Sequence, residues 1–171
     1  VDASTGNIDA ATNVVAHGSI RDGMKVRSTH SLLVRGTIES ATVEAGGDAV
    51  VHGGIITREH GGVVAQGTIV ARFCHHACLR AGGDIRLGGE CVNARIESQQ
   101  RLILEKGAIV GGEVRARQGV IVGTLGCDAG TPTQVHIGSM PDLLRKKQRV
   151  EQENPRRRKR VTAIRTNVAP L

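Results

Sequence analysis

Aliphatic residues recur down this chain at the interval of one short coil. Ile8, Val26, Val43, Val63, Leu79, Ile96 and Val114 form a column separated by 18, 17, 20, 16, 17 and 18 residues. Each is followed two positions later by a small residue: Ala10, Ser28, Ala45, Ala65, Ala81, Ser98 and Ala116. A second set of pairs reads Val14/Ala16, Leu32/Val34, Ala49/Val51, Ile69/Ala71, Ile85/Leu87, Leu102/Leu104 and Val120/Val122. Residues two apart on a strand point the same way, so every pair marks a short strand with one side turned inward. Ile20, Ile38 and Ile55 mark a third, weaker strand.

A repeat near eighteen residues, rich in Gly and Val, indicates stacked units rather than one globular core. The predicted fold is all-β: a right-handed parallel β-helix of about seven coils of 16–20 residues. The six-residue repeat of left-handed helices is absent, and the irregular coil length favours the right-handed form. Ordering a residue costs roughly 1–2 kcal/mol, more than an isolated coil recovers by burial, so the coils must stack to be stable. Gly46-Gly47-Asp48 and Gly82-Gly83-Asp84 read as corners, with Gly supplying positive φ and Asp bonding its own backbone.

The outward positions carry two further patterns. Next to the first column run Asp9, Arg27, Glu44, Val64, Arg80, Glu97 and Arg115, which would place opposite charges above one another if parallel strands stack in register. Between the members of the second pairs lie Val15, Leu33, Val50, Val70, Arg86, Ile103 and Ile121, six of them aliphatic on a side that should face water. A continuous exposed apolar stripe marks an interface. Val15, Leu33, Val50, Val70, Ile103 and Ile121 are therefore the candidate interface residues, for a protein partner or for a second copy in a homodimer.

Charge divides the chain. Residues 1–140 hold 13 basic and 13 acidic residues, whereas 141–171 hold 10 and 3, so the whole net charge of +7 lies in the tail. Nucleic-acid binding by the repeat region loses its usual electrostatic basis. Ser139, Pro141 and Asp142 resemble a helix start, with Leu143, Leu144 and Val150 able to cover the last coil or begin a coiled coil. The expected division is 1–138 for the β-helix, 139–154 for a short capping or coiled-coil-like helix, and 155–171 for a basic flexible tail. Arg156, Arg157, Arg158, Lys159 and Arg160 could meet RNA or an anionic lipid, or simply be a solvated terminus.

No apolar stretch approaches the ~18 residues that span a bilayer, and no signal-peptide pattern opens the chain. A cytoplasmic location is expected. Val1 in place of Met suggests a fragment or a processed form.

Candidate chemistry is thin. Cys74, His75, His76 and Cys78 form the densest cluster, and Cys91 lies one coil later at nearly the position of Cys74. Thiolate and imidazole are zinc ligands, but the spacing matches no zinc finger, and free thiols with surface histidines are the favoured reading. Disulfides are not expected in a reducing compartment. Cys74 beside His75 and His76 is the only candidate nucleophile and lacks a third, orienting group. Glu39, Asp48 and Glu90 could be picked as acids, yet any β-helix shows acids on its faces. With no Trp, no Tyr and one Phe, the rings that stack on sugars or bases are missing. No catalytic residues and no cofactor are assigned, and a binding or scaffold protein is expected rather than an enzyme.

Several motifs nevertheless resemble one family. Ser4-Thr5-Gly6-Asn7-Ile8-Asp9, Val43-Glu44-Ala45-Gly46-Gly47-Asp48, its echo Leu79-Arg80-Ala81-Gly82-Gly83-Asp84, and the stretch 123–138 containing Gly130-Thr131-Pro132-Thr133 are similar to the flagellar assembly protein A family of bacteria. The resemblance implies a β-helix set between an N-terminal domain and a C-terminal coiled coil, in the cytoplasm, with a role in assembly or regulation. The chain departs from that pattern at both ends, and Gln99-Gln100 and Arg117-Gln118 replace Gly-Gly corners. The coil design is also similar to the C-terminal domain of the septum-site protein MinC, a cell-division regulator, and to polymer-forming bactofilins. A Cys/His metal-binding enzyme is the remaining alternative.

Overall fold

The alternation of inward and outward residues builds a parallel β-solenoid. A computed structural model describes residues 1–2, 4–58, 60–127 and 130–138. Its strands form one continuous sheet in which every pairing is parallel and joins a residue to its counterpart one coil away. Strands such as Lys25–Ser28, Thr42–Ala45 and Cys78–Ala81 form a first face. Leu32–Val34, Ala49–Val51 and Ile85–Leu87 belong to a second. Ile38–Glu39, Ile55–Ile56 and Cys74–His75 belong to a third, narrower one. Farther along, Cys91–Ser98 and Arg101–Ala116 run through corners as single long strands.

The expected columns are the observed ones. Ile8 pairs with Val26, Val26 with Val43, Val43 with Val63, Val63 with Leu79, Leu79 with Ile96 and Ile96 with Val114. The small column beside it holds Ser28, whose hydroxyl donates to Thr12 O at 2.6 Å, and Ser98, which donates to Gly83 O at 2.8 Å. Thr133–Ile137 adds one more strand to this face by pairing Val135 with Val114. Between the faces lies one core in which Leu32, Ile69, Leu79, Ile85, Ile96 and Leu102 are fully buried. Burying such a side chain is worth roughly 1.5–3 kcal/mol, and the core repeats it in every coil.

The third column is longer than Ile20, Ile38 and Ile55 indicated. It continues through Cys74, Cys91 and Ile109. The two cysteines are thus core residues, taking the place of isoleucine in coils four and five.

The corners work differently from the sequence expectation. Gly46, Gly47, Gly82 and Gly83 do not adopt positive φ. Glycine is needed there because the neighbouring coil comes too close: a Cβ at Gly46 would lie 2.1 Å from Thr29 O, and one at Gly82 2.1 Å from Gln66 O. Nor does Asp48 turn back on its own backbone. Its Oδ1 accepts the Thr68 N–H at 2.7 Å, one coil ahead. The same step is made by Asn13 to the Ser31 N–H, Ser31 Oγ to the Asp48 N–H, and Asp84 to the Arg101 N–H. Polar side chains at the start of the coils therefore link each coil to the next. Among the described residues other than glycine, left-handed backbone falls at the corner between third and first faces, at Ser40, His76 and Asn93, with φ of 42°, 53° and 48°.

Among the described residues there is no helix, and none is long and apolar enough to cross a membrane. The helix expected within 139–154 and the basic run 156–160 lie outside the described residues.

Ile85 sits at the centre of the stack with its side chain fully enclosed. Ile85→Ala should lower the unfolding free energy by about 2–5 kcal/mol in urea titration. Arg80→Ala on the outer wall should stay within roughly 0.5 kcal/mol of wild type.

Candidate interaction surface

Outward residues of successive coils stack as strictly as the inward ones, so each face displays a ladder. On the first face the ladder is ionic. Arg27 and Glu44 lie 3.7 Å apart, Arg80 and Glu97 3.1 Å, and Glu97 and Arg115 3.7 Å. Glu113 is shared by Arg95, Arg115 and His136. Most of these groups are exposed, so each pair adds little stability.

The second face is the contrasting one. Val15 pairs in register with Leu33, Leu33 with Val50, Val50 with Val70, Val70 with Arg86, Arg86 with Ile103, and Ile103 with Ile121. The aliphatic stripe is therefore continuous apart from one arginine. Val15 and Ile121 are 51% and 46% exposed, and the four between them are half-buried by their neighbours above and below. Arg86 leans toward Asp84 at 3.5 Å, and Asp84 also binds Arg101 at 3.1 Å. Hydrogen bonds from the Arg101 side chain and backbone, aided by the Arg101 charge and a hydrogen bond from Arg86, hold the Asp84 carboxyl below its usual range against the opposing effect of burial.

A second apolar ladder was not anticipated. On the third face Arg21 and Glu39 pair at 2.8 Å, and beyond them Ile56, His75, Val92 and Val110 follow in register. The cue lay in the residue after each third-column position, and it was masked by the change of that column from isoleucine to cysteine.

The Cys/His cluster is split by the wall of the solenoid. Cys74 and Cys91 point into the core, fully buried, with their Sγ atoms 3.2 Å apart. The contact with the Cys91 thiol and the loss of water both push the Cys74 thiol well above its ordinary value, so it stays protonated. His75 is the next residue on the strand and must point outward. There its Nε2 meets Glu90 at 2.9 Å and its ring lies 5.0 Å from that of Phe73. An orienting carboxylate thus exists for His75, but Cys74 is on the other side of the wall and the two cannot act as a pair.

His76 and Cys78 open instead onto a corner groove of about 500 Å³ shared with Asn93, Arg95, Gly112 and Glu113. Among the described residues no hydrogen bond joins Cys78 to His76, and no three His, Cys, Asp or Glu side chains converge as a metal site. The acids picked from the sequence are equally scattered: Glu39 holds Arg21, Asp48 holds a corner, and Glu90 holds His75.

The family model described as Flagellar Assembly Protein A beta solenoid domain matches residues 1–171. The chain belongs to that family. No match is found among the curated proteins or the solved structures. The solenoid of this flagellar assembly protein A family member is the part on which the ladders above are built.

Two outcomes follow from the site chemistry. In native protein at neutral pH a maleimide should label Cys127 first and Cys78 more slowly, while Cys74 and Cys91 react only after denaturation, as peptide mass mapping would show. Because the folded-state pKa of Asp84 is depressed below 3.8, its contribution is present above that pH and is lost as pH falls through the folded value. Asp84→Asn should therefore lower the melting temperature at pH 7, and the gap to wild type should shrink in melts below about pH 4.

Proposed function

We propose that this solenoid is a non-catalytic scaffold of the bacterial cytoplasm that serves flagellar assembly by binding protein through its second face. The observation that carries this reading is the in-register stripe of Val15, Leu33, Val50, Val70, Ile103 and Ile121. Solvated faces of parallel strands carry polar groups, as the first face does, and a long apolar stripe broken by a single arginine costs solubility unless something covers it.

Family membership supports an assembly role. The separation of Cys74 from His75, and the use of Glu39, Asp48 and Glu90 in structural contacts, support a role without catalysis. Free thiols, two of them 3.2 Å apart, suit a reducing compartment.

A charge placed in the stripe tests the reading. Val70→Glu should keep the wild-type circular dichroism spectrum and lose at least about tenfold in affinity for whatever the second face binds, self or other. Val64→Glu, on the ionic face, should bind as wild type. Equal binding by both variants would refute the assignment of the face.

A further inference from the structure

Two consecutive coils place cysteine where the rest of the third column places isoleucine. Ile38, Ile55, Cys74, Cys91 and Ile109 follow one another in register, so Cys74 lies directly against Cys91. A single buried cysteine acts as a small hydrophobe. Two in contact are also a redox couple. Their Sγ atoms are 3.2 Å apart, both residues are fully buried, and both thiols are free. Parallel strands stacked in register set the two Cα atoms about 4.8 Å apart, inside the ~4.4–6.8 Å span that a disulfide bridges. The backbone already has the separation that the bond requires.

We propose that Cys74 and Cys91 are a modification site, at which an oxidant of the hydroperoxide class joins coil four to coil five through a reversible disulfide. With hydrogen peroxide, one thiolate attacks a peroxide oxygen and the O–O bond breaks. That sulfur becomes a sulfenic acid, and the departing oxygen leaves as water with the proton the thiol gave up. The second sulfur then attacks the sulfenic sulfur, the S–O bond breaks, and a second water leaves with the second thiol's proton. Two thiols and one peroxide give one disulfide and two waters, with two electrons passing from sulfur to oxygen. Hydrogen peroxide is uncharged and little larger than water, so local fluctuations admit it to a core that excludes a maleimide.

Burial sets the rate of this step. The thiolate is the reacting form, and the Cys74 thiol is held protonated by its contact with Cys91 and by the loss of water, so the pair stays reduced until an oxidant accumulates. Stacking sets the strength of the bond. In-register coils carry Cβ along with Cα, to about 4.8 Å, whereas disulfides favour a Cβ separation of ~3.5–4.5 Å. Closing the sulfurs from 3.2 Å to about 2.05 Å therefore draws the coils together by a few tenths of an ångström. Such strain makes a disulfide easier to reduce. The bond suits transient oxidation rather than permanent cross-linking. While it lasts, it closes a loop across 17 residues of the unfolded chain, a gain that outweighs so small a distortion.

Hydrogen peroxide treatment of the full chain carrying Cys78→Ser and Cys127→Ser, which leaves this pair as the remaining thiols, tests the site. After prolonged exposure without denaturant, tryptic mapping should find peptide 73–80 linked to peptide 87–95 with the loss of two hydrogens. The urea midpoint should rise by roughly 0.5–1 M. Millimolar reduced glutathione should then restore both thiols and the original midpoint. Cys74→Ala in the same background should give neither the linkage nor the upward shift. Thiols that stay free, or that pass singly to sulfinic acid without linkage, overturn the site. A linked pair whose midpoint does not rise overturns the clip, and a linkage that resists glutathione overturns its reversibility. None of these readouts depends on what the second face binds.

Discussion

Parallel, in-register hydrogen bonding between successive coils is the constraint from which the other properties of this molecule follow. Few backbone groups of a coil find partners within the coil itself; they are satisfied by the coil before and the coil after, as in the bonds from Leu32 N to Asp48 O and from Ile69 N to Asp84 O. A residue is therefore locked to its counterpart one coil away, and the side chain it carries is repeated or answered along the whole stack. Inside, that produces columns of isoleucine, leucine and valine. At the corners it produces linked polar side chains, Asn13 to Ser31 to Asp48 to Thr68. Length variation is pushed into corners, as in the coil that contains Thr57, Arg58 and Gly61 before the first face resumes at Gly62–Ala65.

The same constraint limits chemistry. Neighbours on a strand are separated by the wall, so a nucleophile and a base that are adjacent in sequence end on opposite sides of it. Cys74 with Cys91 inside and His75 with Glu90 outside are the concrete case. What the fold presents readily is ladders, and the outer walls differ in kind: ionic on the first face, aliphatic on the second, and mixed on the third. In this flagellar assembly protein A family solenoid the second face carries the aliphatic ladder from Val15 to Ile121, broken once by Arg86.

Most of the solenoid was legible in the chain, because coil period, inward pairs and outward ladders all derive from alternation along a strand, which is a local property of sequence. The aliphatic stripe and the alternating charges of Arg27, Glu44, Arg80, Glu97 and Arg115 were readable for the same reason. The sequence could not show what depends on atoms of one coil meeting atoms of the next. Glycine at Gly46 and Gly82 looked like a demand for positive φ and proved to be a demand for space against Thr29 and Gln66. Asp48 looked like a local turn residue and proved to reach across to Thr68. Cys74 and Cys91 read as free thiols stacked one coil apart beside two histidines, and they are that, but their place in the core was hidden, since only the stacked corners reveal where the third column enters each coil. Alternation is written residue by residue, whereas close approach, cross-coil bonding and burial exist only once the coils are superposed.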